Sequence, residues 1–107
     1  GIFISPTSYI EAGLRLPHPV GVIIGDGVVV GQGVTIYQGV TLGRKSSRDS
    51  SYPRIGNNVT IYAGAVVIGN ADVGNGATIG ALSVLQTSIP PGSTAVGIPA
   101  RVLNRPN

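Results

Sequence analysis

An aliphatic residue returns at every sixth position along most of this 107-residue chain. The series runs through Ile24, Val30, Ile36 and Leu42, and then through Ile55, Ile61, Val67, Val73, Ile79 and Leu85. A six-residue period is typical of a parallel β-helix, in which each repeat supplies a short strand and a corner. The 17 glycines suit tight corners, and the eight prolines argue against helices. The period therefore predicts an all-β fold, with residues 1–107 forming a single-domain parallel β-helix of triangular coils.

The period breaks at two places, and each break adds residues to an otherwise regular coil. Leu16 and Ile24 are eight positions apart, two more than one repeat needs. Leu42 and Ile55 are thirteen positions apart, which predicts a loop ejected from the stack at about residues 44–53. A repeat scaffold is rigid, so its irregularities are places where binding and catalytic groups can be added.

The single histidine and most of the basic residues fall at these two breaks. His18 stands between two prolines in the first break, and the second break holds or borders Arg44, Lys45, Arg48 and Arg54. With a net charge of +3 and only 10% charged residues, the chain has no general nucleic-acid-binding surface. The clustering of the basic residues instead favours a small polyanionic ligand.

Composition argues against several other kinds of site. The chain has no cysteine, which excludes disulfides and thiolate chemistry and fits a reducing compartment, so we expect a cytoplasmic location. A metal site built from several histidines is not expected, because the chain has one histidine. The longest uncharged apolar run is too short to span a bilayer, so no membrane association is expected.

Three stretches carry a resemblance to a known family: "LPHPVGVIIGDGVVVGQGVTIYQGVTLG", "YPRIGNNVTIYAGAVVIGNADVGNGATIGALSVL" and "IPPGSTAVGIPARV". In this order, with a polar loop between the first two, they resemble the left-handed β-helix hexapeptide acyltransferases, serine acetyltransferase-like branch. The resemblance implies a left-handed helix and a homotrimer with active sites between neighbouring chains. It also implies acetyl transfer from acetyl-CoA to the hydroxyl of a small acceptor, without a covalent enzyme intermediate.

His18 aligns with the histidine that serves as general base in this family. An imidazole can accept the proton of a hydroxyl as that hydroxyl attacks a thioester. Pro17 stands where the family has an aspartate before the histidine, and Phe3 stands where it has the aspartate that orients the imidazole. Glu11 or a backbone carbonyl is left as the candidate for orienting His18.

Ser51 and Tyr52 match the positions of an arginine and a histidine that hold serine in the family. Neither side chain replaces the paired, charge-assisted hydrogen bonds that a guanidinium makes with a carboxylate. Tyr52 offers a flat apolar face and one hydroxyl, which suit a sugar ring. We therefore expect a sugar or glycan-precursor hydroxyl to be a better acceptor than L-serine, unless Arg48 or Arg54 swings in to bind the carboxylate.

The residues that the resemblance assigns to coenzyme binding are small or basic. Ala63 and Ala81 match positions along the family's pantetheine channel, where large side chains would block the coenzyme; tight coil packing explains both alanines equally well. Arg101, with Arg105 or Lys45, is a candidate for neutralising the coenzyme's phosphates.

A second hypothesis from another functional class stays open. The missing aspartate partner of His18 also fits a catalytically silent β-helix that acts as a scaffold or interaction module. Binding of the coenzyme distinguishes the two hypotheses, because only the enzyme requires it.

Overall fold

The computed structural model describes residues 1–103, which form fourteen short strands and no helix, and so no helix that could cross a bilayer. The strands of the first half are β1 (Phe3–Ile4), β2 (Tyr9–Ile10), β3 (Ile23–Ile24), β4 (Val29–Val30), β5 (Thr35–Ile36) and β6 (Thr41–Gly43). Those of the second half are β7 (Arg54–Ile55), β8 (Thr60–Ile61), β9 (Val66–Ile68), β10 (Asp72–Val73), β11 (Thr78–Ile79), β12 (Val84–Leu85), β13 (Thr94–Gly97) and β14 (Ala100–Val102).

The strands lie in three sheets that the chain visits in turn. The first sheet has the order β1-β3-β6-β9-β12, the second β2-β4-β7-β10, and the third β5-β8-β11-β13-β14. All neighbours are parallel except β13 and β14, which form an antiparallel pair at the C-terminal end. Since the sheets alternate along the chain, each coil is a triangle, and the stacked corners form three edges. We name these the 1–2, 2–3 and 3–1 edges after the sheets that they join.

The predicted inward positions form the core. Every aliphatic residue of the six-residue series is buried, and so are the small residues two places before them, such as Val34, Val59 and Ala77. Burial of each valine, leucine or isoleucine contributes about 1.5–3 kcal/mol relative to an exposed position. The apolar side chains fill the triangular interior, so the period measured in the sequence is the period of the coil.

The 2–3 edge is held by a ladder of asparagine side chains. The Oδ1 atom of Asn57 accepts the Gln32 backbone N–H at 2.9 Å, and the Oδ1 atom of Asn75 accepts the Asn57 N–H at 2.8 Å. Each bond joins one coil to the next and satisfies a corner N–H that no strand pairs. The residue directly before Asn57 is Gly56, and a larger residue would not fit there, because its Cβ would lie 2.6 Å from the Asn75 Oδ1 atom.

Candidate functional site

His18 lies on the 3–1 edge, in a corner that is longer than those above it. Arg15 bridges to Thr35 and Gly21 lies against Gly39, so five residues (16–20) turn the corner that the next coil turns with three (36–38). The His18 carbonyl accepts the Val20 N–H at 2.8 Å, which closes the corner on itself. The longer corner leaves the imidazole exposed to solvent.

The imidazole of His18 heads a stack of aromatic rings. Its centroid lies 6.4 Å from that of Tyr37, with the planes inclined by 37°. Tyr37 stacks in turn on Tyr62, at 5.1 Å and 13°. Neither tyrosine is among the site residues that the sequence predicts. Their signal is that each directly follows an inward isoleucine on the third sheet, so both side chains leave the coil at the same corner.

No acidic side chain orients His18 within residues 1–103. None of the side-chain hydrogen bonds or ion pairs in this part of the chain involves the imidazole. Glu11 follows β2 on the second sheet, where its N–H bonds to the Val30 carbonyl, and so lies away from the 3–1 edge. Phe3 lies in β1 beside Ile23 and is 56% exposed. The first 103 residues also bring together no three potential metal ligands.

Ala63 and Ala81 lie on the same edge as His18. Backbone hydrogen bonds of 2.9 Å join the corners there, from Gly39 to the Val20 carbonyl and from Leu82 to the Ala63 carbonyl. These bonds align Val20, Gln38, Ala63 and Ala81 in one column along the helix axis. The structure thus places three of the predicted site residues on one edge, with His18 near its N-terminal end and Ala81 three coils above.

Arg101 lies at the C-terminal end of the helix. It pairs with Val96 across β13 and β14, and the Val96 side chain covers Gly80, the residue before Ala81. The backbone of Arg101 is therefore close to the upper end of the 3–1 edge, and the residue is exposed. Arg105, the other C-terminal candidate, lies outside the described residues.

Lys45, Ser51 and Tyr52 belong to the 1–2 edge instead. Gly43 pairs with Ile68, and the Arg54 N–H bonds to the Ala71 carbonyl, which sets residue 53 beside residue 71. Residues 44–52 therefore replace the two-residue corner formed by 69–70 in the next coil. The loop is mostly exposed, and Pro53, which follows it, is buried. The Cβ atom of Lys45 lies against Gly69. Within one chain, the structure therefore separates these residues from His18.

The loop has internal order at Ser51 and Tyr52. The Ser51 N–H donates to the Asp49 Oδ1 atom at 2.8 Å, and hydrogen bonds from the Ser51 backbone and hydroxyl lower the pKa of the Asp49 carboxyl. The ring of Tyr52 is half-buried and packs against the backbone of Gly25 and Gly27. One side of this ring is therefore covered by its own chain, and the residue as a whole stays partly exposed.

This chain is similar in sequence to bacterial hexapeptide-repeat transferases. The family described as bacterial transferase hexapeptide (six repeats) matches residues 52–87. The serine acetyltransferase of Escherichia coli strain K12 is 43% identical over 106 residues, which cover 97% of this chain and 38% of that protein. The chain thus spans about two fifths of the length of such relatives.

Solved structures agree with the sequence relatives. A soybean serine acetyltransferase complexed with serine superposes with a TM-score of 0.87 at 41% identity, covering 94% of this chain and 42% of that one. A serine acetyltransferase in complex with CoA superposes with a TM-score of 0.85 at 38% identity, covering 92% of this chain and 40% of that one. Together with the parallel pairing in all three sheets below the C-terminal strand β14, these similarities confirm the predicted left-handed parallel β-helix.

Proposed function

Since this chain is a hexapeptide-repeat left-handed β-helix of the serine acetyltransferase-like branch, we propose that it transfers an acetyl group from acetyl-CoA to the hydroxyl of a small acceptor. The observation that carries the proposal is the 3–1 edge. One column of corners there carries the exposed imidazole of His18 and the small residues Ala63 and Ala81, and Arg101 lies beside its upper end. A linear coenzyme needs such an arrangement: a base at the thioester, an unobstructed path for the pantetheine arm and a cation for the phosphates.

His18 acts as the general base in this reaction. Its imidazole accepts the acceptor's proton while the acceptor oxygen forms a bond to the thioester carbonyl carbon. The carbon–sulfur bond then breaks, and the imidazolium returns the proton to the departing thiolate. The acetyl group passes directly to the acceptor, and no side chain of the protein is acetylated.

The site is completed by a second copy of the chain in a homotrimer. His18 and the loop of residues 44–52 lie on different edges, so one chain alone does not bring them together. In the proposed threefold assembly the contact is head to tail, with the 1–2 edge of one chain against the 3–1 edge of the next. Ser51 and Tyr52 would then face the neighbour's His18, and Lys45 and Arg101 would flank the coenzyme from both sides.

The acceptor that this site favours is a sugar or glycan-precursor hydroxyl. Tyr52 offers a partly exposed aromatic ring with one hydroxyl, and Ser51 already donates its N–H to Asp49. Neither residue supplies the paired cationic hydrogen bonds that an amino-acid carboxylate requires. Arg54, the nearest arginine in sequence, is engaged with Asp72 and Asn70 on the second sheet, which argues against its recruitment to a carboxylate.

Substitution of the base tests the catalytic proposal. His18→Ala should lower kcat about 10²–10⁴-fold, the usual contribution of a general base. Its affinity for acetyl-CoA in calorimetry should stay close to that of the parent chain, because the imidazole acts on the acceptor's proton. Retained turnover in this variant would assign the base to another group.

A panel of acceptors tests the acceptor proposal. The values of kcat/KM for L-serine and for a series of sugars, measured side by side with acetyl-CoA, should favour a sugar. Efficient turnover of L-serine alone would mean that the Ser51–Tyr52 pair binds a carboxylate after all.

A catalytically silent scaffold is the second candidate, and the absence of a carboxylate beside His18 within residues 1–103 favours it. This candidate requires no coenzyme. Titration calorimetry with CoA therefore separates the two, and the absence of binding to the assembled protein would favour the scaffold.

A further inference from the structure

The rings of Tyr37 and Tyr62 stack beside His18, and the proposed acetyl transfer assigns them no role. We propose that Tyr37, braced by Tyr62, positions the His18 imidazole in place of a carboxylate partner. The inference rests on the proposed function, because positioning matters only if His18 is a base. Tyr37 is a positioning residue, since it acts through the imidazole and not on the reacting atoms.

The backbone beneath the two tyrosines is fixed on both sides. β5 and β8 pair in register, and the ladder continues through each tyrosine: Tyr37 donates its N–H to the Ile61 carbonyl at 3.0 Å, and Tyr62 donates to the Ile79 carbonyl at 2.9 Å. The isoleucine that precedes each of them is fully buried. The rings therefore project from anchored positions, and their separation of 5.1 Å follows the spacing of adjacent coils.

The backbone that carries His18 has little freedom, so the imidazole moves mainly by rotation about its own side-chain bonds. Two prolines restrict the backbone around His18, and its carbonyl is held by the Val20 N–H. The rotamers that remain differ in whether the imidazole packs against Tyr37. At 6.4 Å, the two rings lie within the range of about 4.5–7 Å over which aromatic pairs attract. The contact thus selects one orientation of the imidazole.

An aromatic contact and a carboxylate hold a histidine in different ways. A carboxylate binds one ring nitrogen and so selects the tautomer. The face of Tyr37 restricts the ring plane and occupies neither nitrogen. Both nitrogens are then available to the acceptor and to water, and the orientation depends on the ring at position 37 and not on its hydroxyl.

Proton NMR tests the contact without reference to activity. His18 is the single histidine of the chain, so its imidazole C–H signals are assigned without ambiguity. The ring current of Tyr37 should displace these signals from their positions in an unstructured peptide. Tyr37→Leu should move them towards the unstructured values and Tyr37→Phe should leave them in place. Tyr9→Leu, at an exposed tyrosine of the second sheet, is the matched control and should also leave them unchanged.

Kinetics tests whether the orientation matters for the reaction. Tyr37→Leu should lower kcat about five- to tenfold, the equivalent of one lost aromatic contact, with the KM for acetyl-CoA unchanged. Tyr37→Phe should keep kcat at the parent value. Tyr62→Leu should lower kcat by less than Tyr37→Leu does, because it removes the ring that stacks on Tyr37 but leaves the Tyr37–His18 contact. If Tyr37→Leu unfolds, the comparison of Tyr62→Leu with the Phe variant carries the test.

Two results would overturn the inference. One is an imidazole spectrum that is the same in Tyr37→Leu and in the parent chain. The other is an imidazole spectrum that changes in Tyr37→Leu while kcat stays the same, which would mean that the contact has no role in the reaction. A parent chain that binds no CoA and transfers no acetyl group would instead contradict the proposed function, and the spectrum would still report whether Tyr37 holds His18.

Discussion

Glycine occurs in this β-helix for two separate physical reasons. At positions such as Gly39 and Gly64 the backbone has a φ of +71°, a left-handed conformation that other residues adopt at a cost. At Gly27 no such φ is present, and the reason is contact: a Cβ there would lie 2.6 Å from the Cδ2 atom of Tyr52. At Gly43 neither reason applies, because no other group lies within 4 Å of the place that a Cβ would occupy.

The Gly27–Tyr52 contact leads to a prediction about stability. Gly27→Ala should lower the free energy of unfolding by about 1–3 kcal/mol, the usual cost of forcing extra atoms into a packed site. Gly43→Ala is the matched control and should change it by less than about 0.5 kcal/mol. Denaturant titrations of both variants measure these differences. In the Tyr52→Ala background the Gly27→Ala penalty should largely vanish; a full penalty there would exclude the contact as its cause.

The ejected loop is the element that departs most from the repeat. It replaces a two-residue corner with residues 44–52, and its order within the chain depends on a few local contacts. One of these is the bond from the Ser51 N–H to Asp49, whose carboxyl pKa is lowered by hydrogen bonds from Ser51 and, to a smaller extent, by Lys45. The ionised carboxylate is thus the form that holds this part of the loop.

The lowered pKa of Asp49 gives the loop a defined response to acid. A carboxyl whose pKa is lower in the folded state stabilises the fold above its unfolded-state value, and the effect is lost as the pH falls through the folded-state value. The amide signal of Ser51 should therefore change in NMR spectra only at a pH below the ordinary range of an aspartate. Asp49→Asn is the control and should remove the transition. A transition within the ordinary aspartate range would mean that the bond is not populated in solution.

At the scale of the whole molecule, the two irregular corners lie on different edges of the triangle. His18 is on the 3–1 edge and the loop is on the 1–2 edge, so a threefold assembly is the proposed means of uniting them. In such an assembly each site takes His18 from one chain and the loop from its neighbour. Two chains that are each defective in one part could then complement one another.

Complementation between defective chains tests this arrangement. One chain carries His18→Ala, and the other has residues 44–52 replaced by Gly-Asn, the corner that the next coil uses at 69–70. Each alone should be inactive, and equal mixing before assembly should restore about a quarter of the sites. Sedimentation should show trimers for both chains. Mixed trimers without recovered activity, or a monomer at micromolar concentrations, would contradict the arrangement.

Much of the fold could be predicted from the sequence because the repeat is local. An inward position must be apolar in every coil, so residues such as Ile36, Ile61 and Ile79 report the period wherever they occur. The two breaks are visible for the same reason, since extra residues shift the phase of the series. His18 could be selected from its place in the first break, and its proposed role came from the resemblance.

The neighbours of each site residue were decided by the tertiary structure alone. The six-residue series places Tyr37 and Tyr62 at the same corner of neighbouring coils, but the stacking of their rings depends on side-chain conformations that only the stacked coils fix. The same holds for Tyr52, which packs back on Gly27 one coil below, and for Glu11, which falls on another edge than His18. A six-residue period specifies which side chains point inward; contacts between outward side chains arise only when coils stack, because they join residues that are distant in the chain.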